Sequence, residues 1–115
     1  MVLIVWQKSH RLAITVYAVT KTFPKEELYG LVSQIRRCAV SIPSNISEGC
    51  GRHSDNELAR FMVIASGSAS ELEYQLLLCN ELNLISDSTY ELLSSDLTQI
   101  HKMLNSFIQK LKANP

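Results

Sequence analysis

Apolar positions recur at steps of three and four along most of the chain, the spacing of a buried helix face. Leu12, Val16, Val19 and Phe23 set a first helix over about 7–22, with Ala13 and Tyr17 beside them. Phe23-Pro24 stops it, because the residue before a proline is biased away from the α region. Val2–Trp6 is the one stretch that also reads as a strand. A second helix opens at Pro24, with Glu26 and Glu27 near its positive end. Leu28, Leu31, Val32, Ile35, Cys38, Ala39, Ile42 and Ile46 lie on one face of it. Pro43 falls inside that pattern. An interior proline removes a donor and costs about 3 kcal/mol. Ile42 and Ile46 nevertheless keep the same face across it, which predicts a kink rather than an end. Gly49 and Gly51 then suit left-handed caps.

Ser54-Asp-Asn-Glu57 is a capping box, and a third helix follows to about Leu82. Leu58, Ala65, Leu72 and Cys79 recur every seven residues, with Met62, Ala69 and Leu76 interleaved, as in a bundle seam. Gly67, between Ser66 and Ser68, costs roughly 1 kcal/mol in mid-helix, which predicts close approach of another backbone. A turn over 83–88 leads to a second capping box, Ser88-x-x-Glu91. The fourth helix carries Leu93, Leu97, Ile100, Leu104, Phe107 or Ile108, and Leu111, with Lys110 and Lys112 at its negative end. Four helices on short loops predict an all-α, antiparallel up-and-down four-helix bundle, one domain over 1–115.

The third helix is more apolar than an isolated bundle requires. Phe61–Ala65 and Leu76–Cys79 are uninterrupted apolar runs, which cover more than one helix face. Val63, Ile64, Leu77 and Leu78 would then face water unless another copy covers them. Self-association in a closed ring or dimer is the expectation; the competing reading is a few scattered surface leucines.

Charge sharpens this. The net charge is zero, so no basic tail points to nucleic acid. Yet residues 1–54 hold seven basic against three acidic side chains, and residues 55–96 hold one against eight. A basic half packs on an acidic half within one chain, or the halves meet head to tail between chains, or a local basic patch meets an anion. Three cysteines without close pairing argue against a disulfide framework and predict a reducing, cytoplasmic setting. Met1–Trp6 is too short for a membrane span and lacks the basic flank of a signal peptide.

Candidate chemistry concentrates on the second helix. Arg37, Ser41, Asn45, Glu48 and Arg52 share one side, as do Ile64, Ser68, Glu71 and Gln75 on the third. A hairpin about 50–54 brings Arg36 and Arg37 level with Ser68 and Glu71. This predicts a polar seam of Arg37, Ser41, Asn45, Glu48, Ser68 and Glu71, with an ion pair from Arg36 or Arg37 to Glu71. Such a seam fixes register or a subunit interface, or it binds a ligand. Arg36, Arg37 and Arg52, with Lys21 and Lys25, are the candidate phosphate contacts, although no recognition-helix or aromatic-interleaved basic motif accompanies them. Cys50 and His53 alone cannot fill a zinc shell, and no nucleophile elbow, phosphate loop or acid/base dyad occurs. No metal, cofactor or catalytic residue is therefore expected.

Trp6-Gln-Lys8, Tyr17, Thr20 to Phe23-Pro24, Gln34-Ile-Arg-Arg37, Ser41-Ile-Pro-Ser-Asn-Ile-Ser-Glu-Gly49 and Gly51-Arg52 stand in order. Glu57, Arg60-Phe61, Ala65-Ser-Gly-Ser68 and Glu71-Leu-Glu73 follow. This pattern resembles the bacterial four-helix-bundle proteins encoded within intervening sequences of 23S rRNA genes. Ser47 stands where the family's run usually has alanine, and the fourth helix matches by pattern only. The resemblance implies an up-down bundle, commonly assembled as a ring-shaped homopentamer. Similar bundles serve as accessory proteins of diversity-generating retroelements, where a basic ring surface meets nucleic acid and reverse transcriptase. The expectation is a non-enzymatic oligomer that binds or scaffolds RNA or DNA; the alternative is an adaptor between proteins.

Overall fold

The computed structural model describes residues 2–113. Four helices dominate it: α1 (Val2–Thr20), α2 (Ser33–Cys50), α3 (Asp55–Glu81) and α4 (Asp87–Ala113). Val2–Trp6 is helical, because Val5 and Trp6 continue the α1 face toward α2 instead of alternating. The helices pack in cyclic order, α1 on α2, α2 on α3, α3 on α4 and α4 back on α1, an antiparallel up-and-down bundle. Val5, Leu12 and Val16 from α1, Ile35, Ile42 and Ile46 from α2, Met62 and Leu72 from α3, and Leu93, Leu97, Ile100 and Leu104 from α4 fill the centre.

The entry to α2 departs from the sequence pattern. Lys25–Glu27 form a 3-10 turn and Leu28–Val32 a π turn before the α-helix begins. A π turn holds one extra residue, so residues ahead of it rotate away from the face that follows. Leu28 is accordingly 43% exposed rather than buried, and Tyr29 is 93% exposed. Beyond it α2 runs through Pro43 without ending, and the Asn45 side-chain amide donates to the Ser41 carbonyl at 2.8 Å one turn away.

The glycines do other work than their sequence positions imply. No described glycine has a positive φ, so Gly49 and Gly51 are not left-handed caps. Gly49 instead marks where α2 and α3 nearly touch: a Cβ there would lie 2.9 Å from the Phe61 Cβ and 3.0 Å from the Leu58 Cδ1. Gly67 is the reverse case, with nothing within 4 Å of the same position. Its predicted close backbone contact is not made within the chain. Gly49→Ala is therefore expected to destabilise by about 1–3 kcal/mol through overpacking. Gly67→Ala should stabilise by about 0.5–1 kcal/mol, the usual gain of alanine over glycine in a helix. Urea unfolding of both variants checks the opposite signs.

Helix ends follow local chemistry. Ser54 caps α3 by accepting from the Glu57 amide at 3.1 Å. Asn83, at φ 61°, closes α3, with Leu84 N–H bonded to the Cys79 carbonyl and Asn83 N–H to that of Asn80. That is a Schellman ending in which asparagine takes glycine's usual place. The cap of α4 is Ser86, whose Oγ accepts from the Thr89 amide at 3.1 Å, and not Ser88. The helix thus starts at Asp87, inside the predicted turn.

Candidate functional site

Two concave surfaces flank α2. One lies toward α3. Its wall comes from the side of α2 that carries Gln34, Arg37, Cys38 and Ser41, and from Ser68 and Glu71 of α3, around a volume of about 300 Å³. Ser41 Oγ and Ser68 Oγ share a hydrogen bond of 2.8 Å, and the Asn45 amide donates to Ser41 Oγ at 3.0 Å. The Cys38 thiol donates to the Ser68 carbonyl at 3.0 Å. The Glu71 carboxylate accepts from the Gln75 amide at 3.3 Å, and Gln75 is only 5% exposed.

The predicted ion pair to Glu71 does not form. Among the described residues the only salt bridges join Arg52 to Glu48 at 3.5 Å and Arg60 to Glu57 at 2.9 Å. Arg36 turns the other way, to the carboxyl end of α1. Its Nε donates to Thr20 Oγ1 at 2.9 Å and a terminal nitrogen to the Tyr17 carbonyl at 3.3 Å, with the guanidinium 4.6 Å from the Tyr17 ring centre. A cation there meets the negative end of the α1 dipole, which competes well with a solvated carboxylate. Arg37 faces Glu71 across the pocket without closing on it. Glu48 leaves the predicted seam as well: it pairs with Arg52 and lines the opposite side of α2.

The second surface is a groove between α1 and α2 of about 940 Å³. Ile14, Tyr17 and Val40, all exposed, form its apolar floor with Ala13 and Pro43, while Lys21 and Glu48 stand among its lining. At one end Trp6 stacks on His10 with ring centres 5.0 Å apart, and the indole N–H donates to Ser47 Oγ at 2.8 Å. Ser47 is what gives that indole its partner. Sequence reasoning missed this groove, although Trp6, His10, Ile14 and Tyr17 sit three or four apart as a second stripe on the first helix.

The outer side of α3 is apolar as anticipated. Val63 is 45%, Ile64 41% and Leu77 39% exposed, with Tyr74 beside them; Leu78, expected on this side, is instead partly buried.

Burial holds two thiols in their neutral form. Cys38 is pushed up to about 11 by burial first and then by the Glu71 carboxylate, against a smaller opposing bond from the Leu72 amide. Cys79 is likewise pushed up to about 11, by burial and then by Glu27. Cys50 is exposed. Arg60 holds the Glu57 carboxyl below its usual range through their hydrogen bond. Among the described residues no cluster of His, Cys, Asp or Glu could hold a metal, and no helix is long and apolar enough to cross a membrane.

A family model described as "23S rRNA-intervening sequence protein" matches residues 1–106. The chain is also similar to a crystal structure from Bacteroides thetaiotaomicron, of a protein with unknown function from the S23 ribosomal protein family. The two share 30% identity over 94% of this chain and 97% of that one, with a TM-score of 0.87. Among curated proteins none matches significantly.

Proposed function

The chain belongs to the 23S rRNA-intervening sequence protein family, and on that basis we propose that it is a non-enzymatic scaffold, assembling with copies of itself and binding RNA or DNA. One observation carries this reading: a single bundle leaves two unlike apolar surfaces open, the α1/α2 groove and the outer side of α3. They agree in length. Val63 to Leu77 spans ~21 Å of helix, and Trp6 to Lys21 along the groove ~22 Å. They agree in charge too, since the groove belongs to the basic half of the chain and α3 to the acidic half, with Glu73 and Glu81 along it. Contact between unlike faces is head-to-tail, and it closes into a ring when the rotation permits. A ring repeats every unpaired cation around an axis, and several weak contacts made together bind more tightly than one.

The cations divide accordingly. Arg36 is committed to α1 and Arg52 to Glu48. Arg37 and Lys25 are exposed outside the groove and stand in no salt bridge among the described residues, whereas Lys21 lines the groove that a neighbouring copy would cover. Arg37→Ala should therefore weaken RNA binding and leave the melting temperature unchanged. Arg36→Ala should cost about 1–2 kcal/mol of stability, the order of a charge-assisted hydrogen bond that is partly exposed. Fluorescence anisotropy on a short labelled RNA, titrated from low to physiological salt, should give affinity falling steeply with salt, because phosphate contacts release counterions. An intact assembly that binds no RNA or DNA at low salt would remove the nucleic-acid half of the proposal. The adaptor reading would then stand, on the bundle end where Tyr29, Leu28 and Leu82 are exposed beside Glu26, Glu27 and Glu81.

A further inference from the structure

We infer that the polar pocket between α2 and α3 receives a guanine base from a single-stranded segment of the bound nucleic acid. This rests on the nucleic-acid reading above and adds to it which base is read and by what. The pocket contains a guanidinium and a carboxylate that face one space and do not pair. Both side chains are exposed, so each keeps its hydrogen-bonding capacity open to an incoming group. Here the carboxylate of Glu71 is held on its own helix by the amide of the buried Gln75, and the Ser41 and Ser68 hydroxyls bond to each other, with Asn45 donating to Ser41. Of the six lining side chains, Arg37 alone is a cation and Glu71 alone an anion.

That pairing selects its ligand. A phosphate drawn to Arg37 would meet the Glu71 carboxylate, and a cation drawn to Glu71 would meet Arg37. The fitting group presents acceptors on one side and donors on the other, in one plane. Guanine offers O6 and N7 to a guanidinium fork, and N1–H with N2–H to a carboxylate. Cytosine and adenine present a single donor group to the carboxylate, and uracil one N–H, so each leaves a fork half used. A volume of about 300 Å³ is at the small end for ligand sites and suits one base rather than a stack of them. Bases splayed from single strands are commonly read in this way, by hydrogen bonds to their edges.

The test uses the intact protein and oligo(U) 12-mers with one central G, inosine, C, A or U, compared by anisotropy at low salt. The G oligomer should bind on the order of tenfold more tightly than the others. Inosine is the sharp control because it lacks only the N2 amino group. Glu71→Gln, with folding checked by thermal melting, should bring the G-to-inosine ratio close to one, and Arg37→Lys should reduce it. Equal binding of all five oligomers overturns the guanine site and leaves the nucleic-acid reading standing. A preference for G that survives Glu71→Gln overturns the site too. Absence of binding by every oligomer overturns both.

Discussion

A Val63→Glu, Leu77→Glu double variant is expected to run as a monomer in light scattering where the parent runs as a multimer. Both side chains lie on the exposed apolar side of α3, so in a single bundle the new carboxylates point into water and cost little. Covered by a neighbouring copy they would be desolvated without partners, at a few kcal/mol each. Association should weaken by roughly a thousandfold or more. Ile14→Glu, on the floor of the groove, should have the same effect from the opposite face. Mixing separates this arrangement from a two-fold one. An α3-defective protomer keeps a good groove and a groove-defective protomer keeps a good α3. Together they should form a one-to-one heterodimer that grows no further. Two-fold pairing through α3 alone would give no such rescue. A parent that is monomeric at high concentration, with both faces wet, would defeat the proposal.

The thiols should divide one to two. At pH 8 a thiol-selective reagent should modify Cys50 promptly and Cys38 and Cys79 only on unfolding, with all three reacting in denaturant. The two protected groups are pushed up to about 11, so roughly one in a thousand is thiolate at pH 8, and the thiolate is the reactive form. Burial adds a steric barrier to the electrostatic one. The same shift makes stability fall at alkaline pH. A raised pKa means that the unfolded chain releases these protons near pH 9 while the folded chain keeps them to about 11. Between those values the unfolded state binds fewer protons, so stability falls as pH rises, by up to about 1.4 kcal/mol per pH unit per thiol. Below pH 9 the contribution is constant. Chemical unfolding at pH 8, 9 and 10 should trace the fall, and a Cys38→Ala, Cys79→Ala protein should lose that part of the slope. Prompt reaction of all three native thiols would contradict the packing around α2 and α3.

Much of the bundle could be read directly, and the misses have identifiable causes. The seam of α3 and the face of α4 were legible because seven-residue and three/four spacing leave few ways to bury those side chains. The pairing of α2 with α3 was legible in outline: Ser41 or Asn45 was expected to hydrogen-bond near Ser68 and Glu71, and the structure joins Ser41 to Ser68 itself. Leu28 was misplaced because a π turn alters phase without leaving a mark in the residue pattern. The ion pair to Glu71 was wrong because helical position brings Arg36 near two sides, and only the packed end of α1 offers Thr20 and the Tyr17 carbonyl. Gly49 and Gly67 were read in the wrong roles, since a missing side chain looks the same in sequence whether a neighbour presses on it or nothing does.

The amino-acid order by itself determined that this chain forms four amphipathic helices, roughly where the chain turns between them, and that α3 carries apolar residues on more than one face. These follow from periodicity and propensity, which act over neighbours a few residues apart. Which arginine is spent on α1 and which remains free, which glycine is a contact and which a gap, and that a groove opens beside Tyr17 were decided only by tertiary structure. Those outcomes depend on competition between groups far apart in the chain, and that competition is settled by distance in space.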